Sequence, residues 1–291
     1  GCGGRNGSTD AGGPGTDSGG GGGPPDSLDM RITTLNVQTP TTLGIVNGIL
    51  ASAITGNSIN ILLKNRMLNA AATVTVADGV PGATAGEFAF PACDTAAMLC
   101  NDGITVCTAD PDCGVPAMFT ATLDPAYGNL MTTSQQTVVL NIGVDTNGDM
   151  MNDLLIPLNL VNASFDVYFD AGYTAIEEMN ANGTSTLAGA LTVQDACAIN
   201  VDLGGGTTLN VLDILDGSGM GTVAPTLGCD LAAGFCPDGT TACTSNADCP
   251  ACAAGTGAMN VQPDTDTNGD GTNDAYLVTS RVAADTVIIT N

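Results

Sequence analysis

The sequence predicts a mainly β protein: two tandem sandwich-like β domains with a short helix, disulfide-rich loops and a flexible amino-terminal tether. Three observations predict it. The acid is 27 Asp against three Glu, with a single lysine, Lys64; Asp favours turns and oxygen-rich loops, whereas Glu and Lys are helix-surface residues. Short β-branched runs are punctuated by Gly, Asn and Asp clusters. Two stretches of the chain also repeat one another, which divides it in two.

Taken in order, residues 1–26 are almost wholly Gly, Pro, Ser, Thr and Asp and can bury nothing, so they read as a tether. A Gly-rich coil of that length spans roughly 27 Å. Leu43, Val46, Leu50 and Ile54 recur at helical spacing between Pro40 and Gly56-Asn57, and predict one helix. Strands are predicted over 59–63, 72–76, 137–144, 154–161, 165–169, 186–193, 276–282 and 286–290. The first repeat is expected over 27–180 and the second over 181–291, divided at Asn180-Ala-Asn-Gly-Thr-Ser185, where the hydrophobic pattern breaks.

The duplication rests on two landmarks. Cys93, Cys100, Cys107 and Cys113 are spaced 7, 7 and 6 apart, as are Cys229, Cys236, Cys243 and Cys249, with matching residues between them. Downstream, Asp145–Phe169 aligns without a gap to Asp266–Thr290. The offset is 136 at the cysteines and 121 at the Asp-rich segments, so the first copy carries fifteen more residues between its landmarks.

Charge and composition exclude whole classes of function. A formal charge of -25 repels phosphate backbones, so no nucleic-acid partner is expected. The absence of histidine removes Ser/His/Asp, Cys/His and His-zinc chemistry together. No paired carboxylates stand in a context that suggests acid/base work, and Glu177-Glu178 read as a solvated segment. An enzyme is therefore not expected; the alternative kept in view is a secreted or surface hydrolase using Asp carboxylates.

The opening Gly1-Cys2-Gly3-Gly4, followed by the tether, resembles a mature bacterial lipoprotein. The resemblance implies that Gly1 ends a lipobox and that Cys2 carries the lipid. It places the chain at a cell surface or outer membrane, attached through that lipid only, since no apolar run is long enough to span a bilayer.

Cys2 aside, ten cysteines remain: Cys93, Cys100, Cys107 and Cys113 in the first copy, and Cys197, Cys229, Cys236, Cys243, Cys249 and Cys252 in the second. In an exported chain they read as five disulfides. Four cysteines allow three connectivities and six allow fifteen, and spacing does not choose among them. Cys197 and Cys252, both private to the second copy, are expected to pair. Cys249-Pro-Ala-Cys252 has the redox C-x-x-C form without a thioredoxin-like βαβ context, and the spacings of six and seven do not match zinc knuckles.

The Asp-rich segments carry the specific chemistry. Asp266-Thr-Asn268-Gly-Asp270-Gly271-Thr-Asn-Asp274 puts oxygen side chains at positions 1, 3, 5 and 9 with glycine at 6, the pattern of a Ca²⁺ loop. Position 12 holds Leu277, so this is not an EF-hand. It resembles the loops of FG-GAP and thrombospondin type 3 repeats, which implies that Asp266, Asn268, Asp270 and Asp274 donate side-chain oxygen and Thr272 a carbonyl, with Asp264 adding a carboxylate. The first copy keeps Asp145, Asn147, Asp149 and Asp153 but places Met150 at the glycine position. If that position needs positive φ, methionine there costs about 1 kcal/mol or more.

As a whole the chain resembles the cysteine-rich surface lipoproteins of the myxobacterial kind. The resemblance implies a calcium-stabilised, disulfide-bonded binding or structural module of the cell surface, with a protein or glycan partner.

Overall fold

The computed structural model describes residues 23–101, 105–144, 154–202, 208–215 and 261–290. Cys2, most of the tether, the first Asp-rich loop with Asp145, Asn147, Asp149 and Asp153, and the cysteines Cys229, Cys236, Cys243, Cys249 and Cys252 lie outside the described residues.

Eight strands form the body: β1 Ser27–Thr39, β2 Ile61–Arg66, β3 Ala72–Asp78, β4 Ala117–Asp124, β5 Leu130–Thr133, β6 Leu154–Phe169, β7 Thr186–Thr192 and β8 Ala275–Thr286. Each pairs antiparallel with the next in the chain, and β8 returns to pair with β1, Met30 opposite Thr286 and Asn36 opposite Arg281. The sheet is therefore a closed up-and-down barrel, an arrangement that leaves no long unpaired edge.

This corrects the expected pair of tandem sandwiches. The chain is mainly β with short helices and disulfides, as predicted, but strands from both sides of residue 180 share one ring. Asn180–Ser185 is a tight turn, closed by the Asn180 amide on the Gly183 carbonyl and the Ser185 amide on Glu178. The two segments expected to fold apart thus contribute to one barrel.

The pleat explains the interior. β4 alternates strictly, with Phe119 buried between exposed Met118 and Thr120. Met30 and Ile32 from β1, Ile61 and Leu63 from β2, Val74 and Val76 from β3, Met131 from β5 and Phe165 and Val167 from β6 join Phe119 in one cluster with Val282 and Ala284 from β8. The barrel interior is mainly apolar, with Asn65 of β2 and Ser280 of β8 also buried. No helix among the described residues is long and apolar enough to cross a membrane.

Several predicted elements change their limits. The predicted strands 154–161 and 165–169 are one strand, β6, carried through a bulge between Val161 and Ser164, where Asn162 adopts φ +53°. The expected 286–290 strand is instead the end of β8 followed by Ile288–Ile289, which runs parallel to Glu87–Ala89 and buries Phe88 and Ile289 over Leu62 on the outer face of β2. The predicted helix splits into a 3₁₀ turn, Thr41–Val46, and α1, Asn47–Thr55.

Up-and-down topology also sorts the connections: β1–β2, β3–β4, β5–β6 and β7–β8 leave from one end of the barrel, and the shorter ones, β2–β3, β4–β5 and β6–β7, from the other. α1, with α2 (Val193–Ala198) and α3 (Val211–Leu215), sits at the first end and adds Leu50, Ile54, Ala196 and Leu212 to the core. The first cysteine block and the Asp266–Asp274 segment belong to connections of that end.

Candidate metal centre and cystine knuckle

The second Asp-rich loop is held at the start of β8. The Asp274 amide donates to the Thr265 carbonyl, and the Ala275 amide to the same oxygen, closing the loop at its neck. The Asp274 carbonyl then accepts the Val193 amide at the start of α2, which ties the loop to the helical end of the barrel.

Within the neck the side chains organise the backbone one after another. Asp266 accepts the amides of Asn268 and Gly269 on Oδ1, at 3.2 and 2.7 Å, and that of Gly271 on Oδ2 at 2.8 Å. Asn268 Oδ1 accepts the Asp270 amide at 2.9 Å, and Asp270 Oδ1 the Thr272 amide at 2.8 Å. Asp274 Oδ1 accepts the Thr267 amide at 2.8 Å and its hydroxyl at 2.9 Å. The Gly271 and Gly269 amides hold the Asp266 carboxyl below the usual carboxylate range. Its contribution is therefore present above the ordinary carboxylate pKa and is lost as pH falls through the lowered one.

Gly271 sits at φ +85° and Gly269 at φ +78°. Position 6 of the loop therefore does need positive φ, the condition under which Met150 in the first copy is costly.

The structure uses one expected ligand differently. Asp264 faces the strand: its Oδ1 accepts the Leu277 amide at 2.8 Å and the Thr265 hydroxyl at 3.0 Å. The loop carboxylates are also not gathered into a cluster. Among the described residues, the one acid or thiol group with three ligand atoms within 4.8 Å of one another is Cys93, Cys107 and Cys113.

Those sulfurs belong to a knuckle of two overlapping disulfides, Cys93–Cys107 and Cys100–Cys113, with Cα separations of 5.8 and 5.5 Å. Sequence reasoning reached the oxidised state but not the pairing. Buried Cys100, Cys107 and Cys113 are themselves the core here, with Cys93 packed against them. Polar side chains hold the rest: Asp94 Oδ1 accepts the Ala96 and Ala97 amides, Asp110 Oδ1 the Cys93 amide, and Asp112 Oδ2 the Thr108 amide and hydroxyl and the Ala109 amide. The Thr108 and Ala109 hydrogen bonds hold the Asp112 carboxyl below its ordinary pKa. Met98 takes φ +55° at the hairpin tip.

The second cysteine block keeps three of these residues, Asp230 for Asp94, Thr244 for Thr108 and Asp248 for Asp112, and has Asn246 for Asp110 and Gly234 for Met98. Cys197 is buried and disulfide-bonded; its expected partner, Cys252, lies outside the described residues. Non-reduced peptide mapping is expected to return Cys93–Cys107, Cys100–Cys113, Cys229–Cys243, Cys236–Cys249 and Cys197–Cys252. Any bridge between the two blocks would contradict this set.

At the foot of the knuckle lies a small pocket lined by Ala77, Asp78, Cys113, Val115 and Val139 among others. Comparison of the chain with protein-family models, with curated proteins and with solved structures found no match.

Proposed function

We propose that the chain is a calcium-stabilised, disulfide-bonded binding or structural module of the cell surface, held there by lipid on Cys2. The observation that carries the reading is the Asp266–Asp274 loop, where hard oxygen donors alternate around two positive-φ glycines. Hard oxygen donors alternating along so short a segment suit Ca²⁺. Asp266, Asn268, Asp270 and Asp274 would hold the ion, supplying three carboxylates that otherwise repel one another in a chain of formal charge -25. The working face is the barrel end that carries the helices, the knuckle and this loop, because its long connections give it its own chemistry while those at the opposite end are shorter.

Calcium that binds only the native state stabilises it by about 2.7 kcal/mol per site at a hundred times Kd. Thermal unfolding of the full chain should therefore shift upward with millimolar Ca²⁺ and downward with chelator. Gly271→Met, which puts the residue of the first loop into the second, should reduce the shift, and Asp270→Ala should reduce it further. A melting curve indifferent to calcium and chelator would remove the metal from the reading. Mass spectrometry of the native amino-terminal peptide checks the anchor: acylated glycerylcysteine at Cys2 is expected, and an unmodified Cys2 would remove the lipid.

A further inference from the structure

At the foot of the knuckle exposed apolar side chains adjoin one another instead of standing singly. Val115 is 75% exposed, Met118 64% and Val139 49%. Val115 and Val139 line one small pocket with Ala77, Asp78, Pro91 and Cys113. Ala77 lies opposite Leu62, on the outer face of the barrel, and Met118 lies on the same face opposite Thr75, the outward residue of β3 next to Ala77. Single exposed apolar side chains are ordinary, whereas a joined patch beside a pocket marks a place of contact.

The patch is held in place before any partner arrives. Cys113 is bonded to Cys100, Ala77 is fixed in β3 between β2 and β4, and Val139 stands in Gln136–Val144, which pairs with β6. Val115 and Val139 are β-branched and have few rotamers to lose on contact.

Charge decides which partner fits. The basic residues are Arg5, Arg31, Lys64, Arg66 and Arg281, and none stands between Arg66 and Arg281, a span that contains every residue of the patch. The four described ones lie in barrel strands paired on both sides: Arg31 in β1, Lys64 and Arg66 in β2, and Arg281 in β8. Lys64, opposite Thr75, borders the patch and is drawn over the Phe90 ring. Acid stands within the face itself, with Asp78 in the pocket wall and Asp94, Asp110 and Asp112 in the knuckle above it. A second copy brings a formal charge of -25 of its own, and nucleic acid and anionic lipid are repelled likewise. The complement of this face is apolar and cationic.

We propose that it docks a basic segment of another protein, one in which apolar side chains alternate with Lys or Arg. The apolar side chains cover Val115, Met118 and Val139, and the cationic heads reach Asp78 and the knuckle carboxylates. This deepens the reading of the chain as a binding module and rests on it, but on neither the calcium nor the lipid.

The test is calorimetric titration of the full chain carrying Cys2→Ser, in chelator, so that neither lipid nor metal takes part. The probe is a short peptide of alternating lysine and leucine, compared with lysine–serine and glutamate–leucine peptides of the same length. The lysine–leucine peptide should bind at least about tenfold more tightly than either, and Val115→Ser with Met118→Ser should remove that advantage. Met67→Ser, at the exposed β2–β3 turn of the opposite end, should leave it intact. Should the serine pair lower the melting temperature, Met118→Lys gives the same reading, since it weakens the cationic peptide by repulsion. Equal binding of the lysine–leucine and lysine–serine peptides, or equal loss in Met67→Ser, would overturn the proposal. So would a dimer of the chain that the serine pair dissolves, because the occupant would then be a second copy. Failure of the peptide together with an intact calcium shift in the melting curve removes the docking face and leaves the calcium-stabilised module.

Discussion

Alanine in place of Phe119 is expected to destabilise the whole protein by about 3–5 kcal/mol, the usual cost of emptying a buried aromatic site. Phe119 is fully buried, and its ring meets that of Phe165 edge-on, with centroids 5.6 Å apart at 81°. It lies in the same cluster as Val282 and Ala284, from the far end of the chain. Urea unfolding followed by circular dichroism should therefore show one cooperative transition, moved as a whole to lower denaturant. Val282→Ala should move the same transition by a smaller amount. Two transitions, only one of them sensitive to Phe119→Ala, would mean that the halves fold separately and that closure through β1 and β8 contributes little.

The second large effect is expected in the knuckle. Replacing Cys100 and Cys113 together by alanine opens a loop with a sequence separation of 13. For a loop near fifteen residues the chain-entropy model puts the loss at about 3 kcal/mol. At roughly 2–4 °C per kcal/mol for a domain of 150–250 residues, the melting temperature should fall by roughly 6–12 °C. The sulfurs themselves form the buried centre of the knuckle, so no other apolar contact there compensates. A change of less than about 1 °C would show that the polar contacts of Asp94, Asp110 and Asp112 hold the segment unaided.

Much of the local structure was legible in the sequence. The strand expected over 137–144 is observed at Gln136–Val144, and the one expected over 72–76 at Ala72–Asp78, because their β-branched runs declare a strand without help from neighbours. β1 was not read as a strand. Its outward residues Asp29, Arg31, Asn36 and Gln38 hide a period-two pattern that only Met30, Ile32 and Leu35 mark from inside. β4 was missed because exposed Met118 stands beside buried Phe119 and spoils the alternation. The sequence reading breaks the strand at 162–164; in the structure this gap is a bulge, and β6 continues from the hairpin with Gln136–Val144 to its pairing with β7.

The candidate site divides in the same way. The oxygen donors of Asp266–Asp274 and the need for glycine at Gly271 were readable because nine adjacent residues contain the whole pattern. The role of Asp264 was not, because its partner is the Leu277 amide, on a strand that spacing alone does not orient.

By itself the sequence determined the β class, the oxidised cysteine framework and the oxygen-rich loop. Each follows from composition and from contacts between residues close in the chain, where propensity and spacing act directly. The tertiary structure alone decided that strands from both sides of residue 180 close one barrel, that the four cysteines of the first block pair alternately, and that four of the five basic residues are locked into paired strands. Those outcomes depend on which distant segments share a register, as when Met30 meets Thr286, and on where Cβ atoms fall once they do. The free energy of such pairings is set by burial in the assembled core, a quantity that no window of local sequence contains.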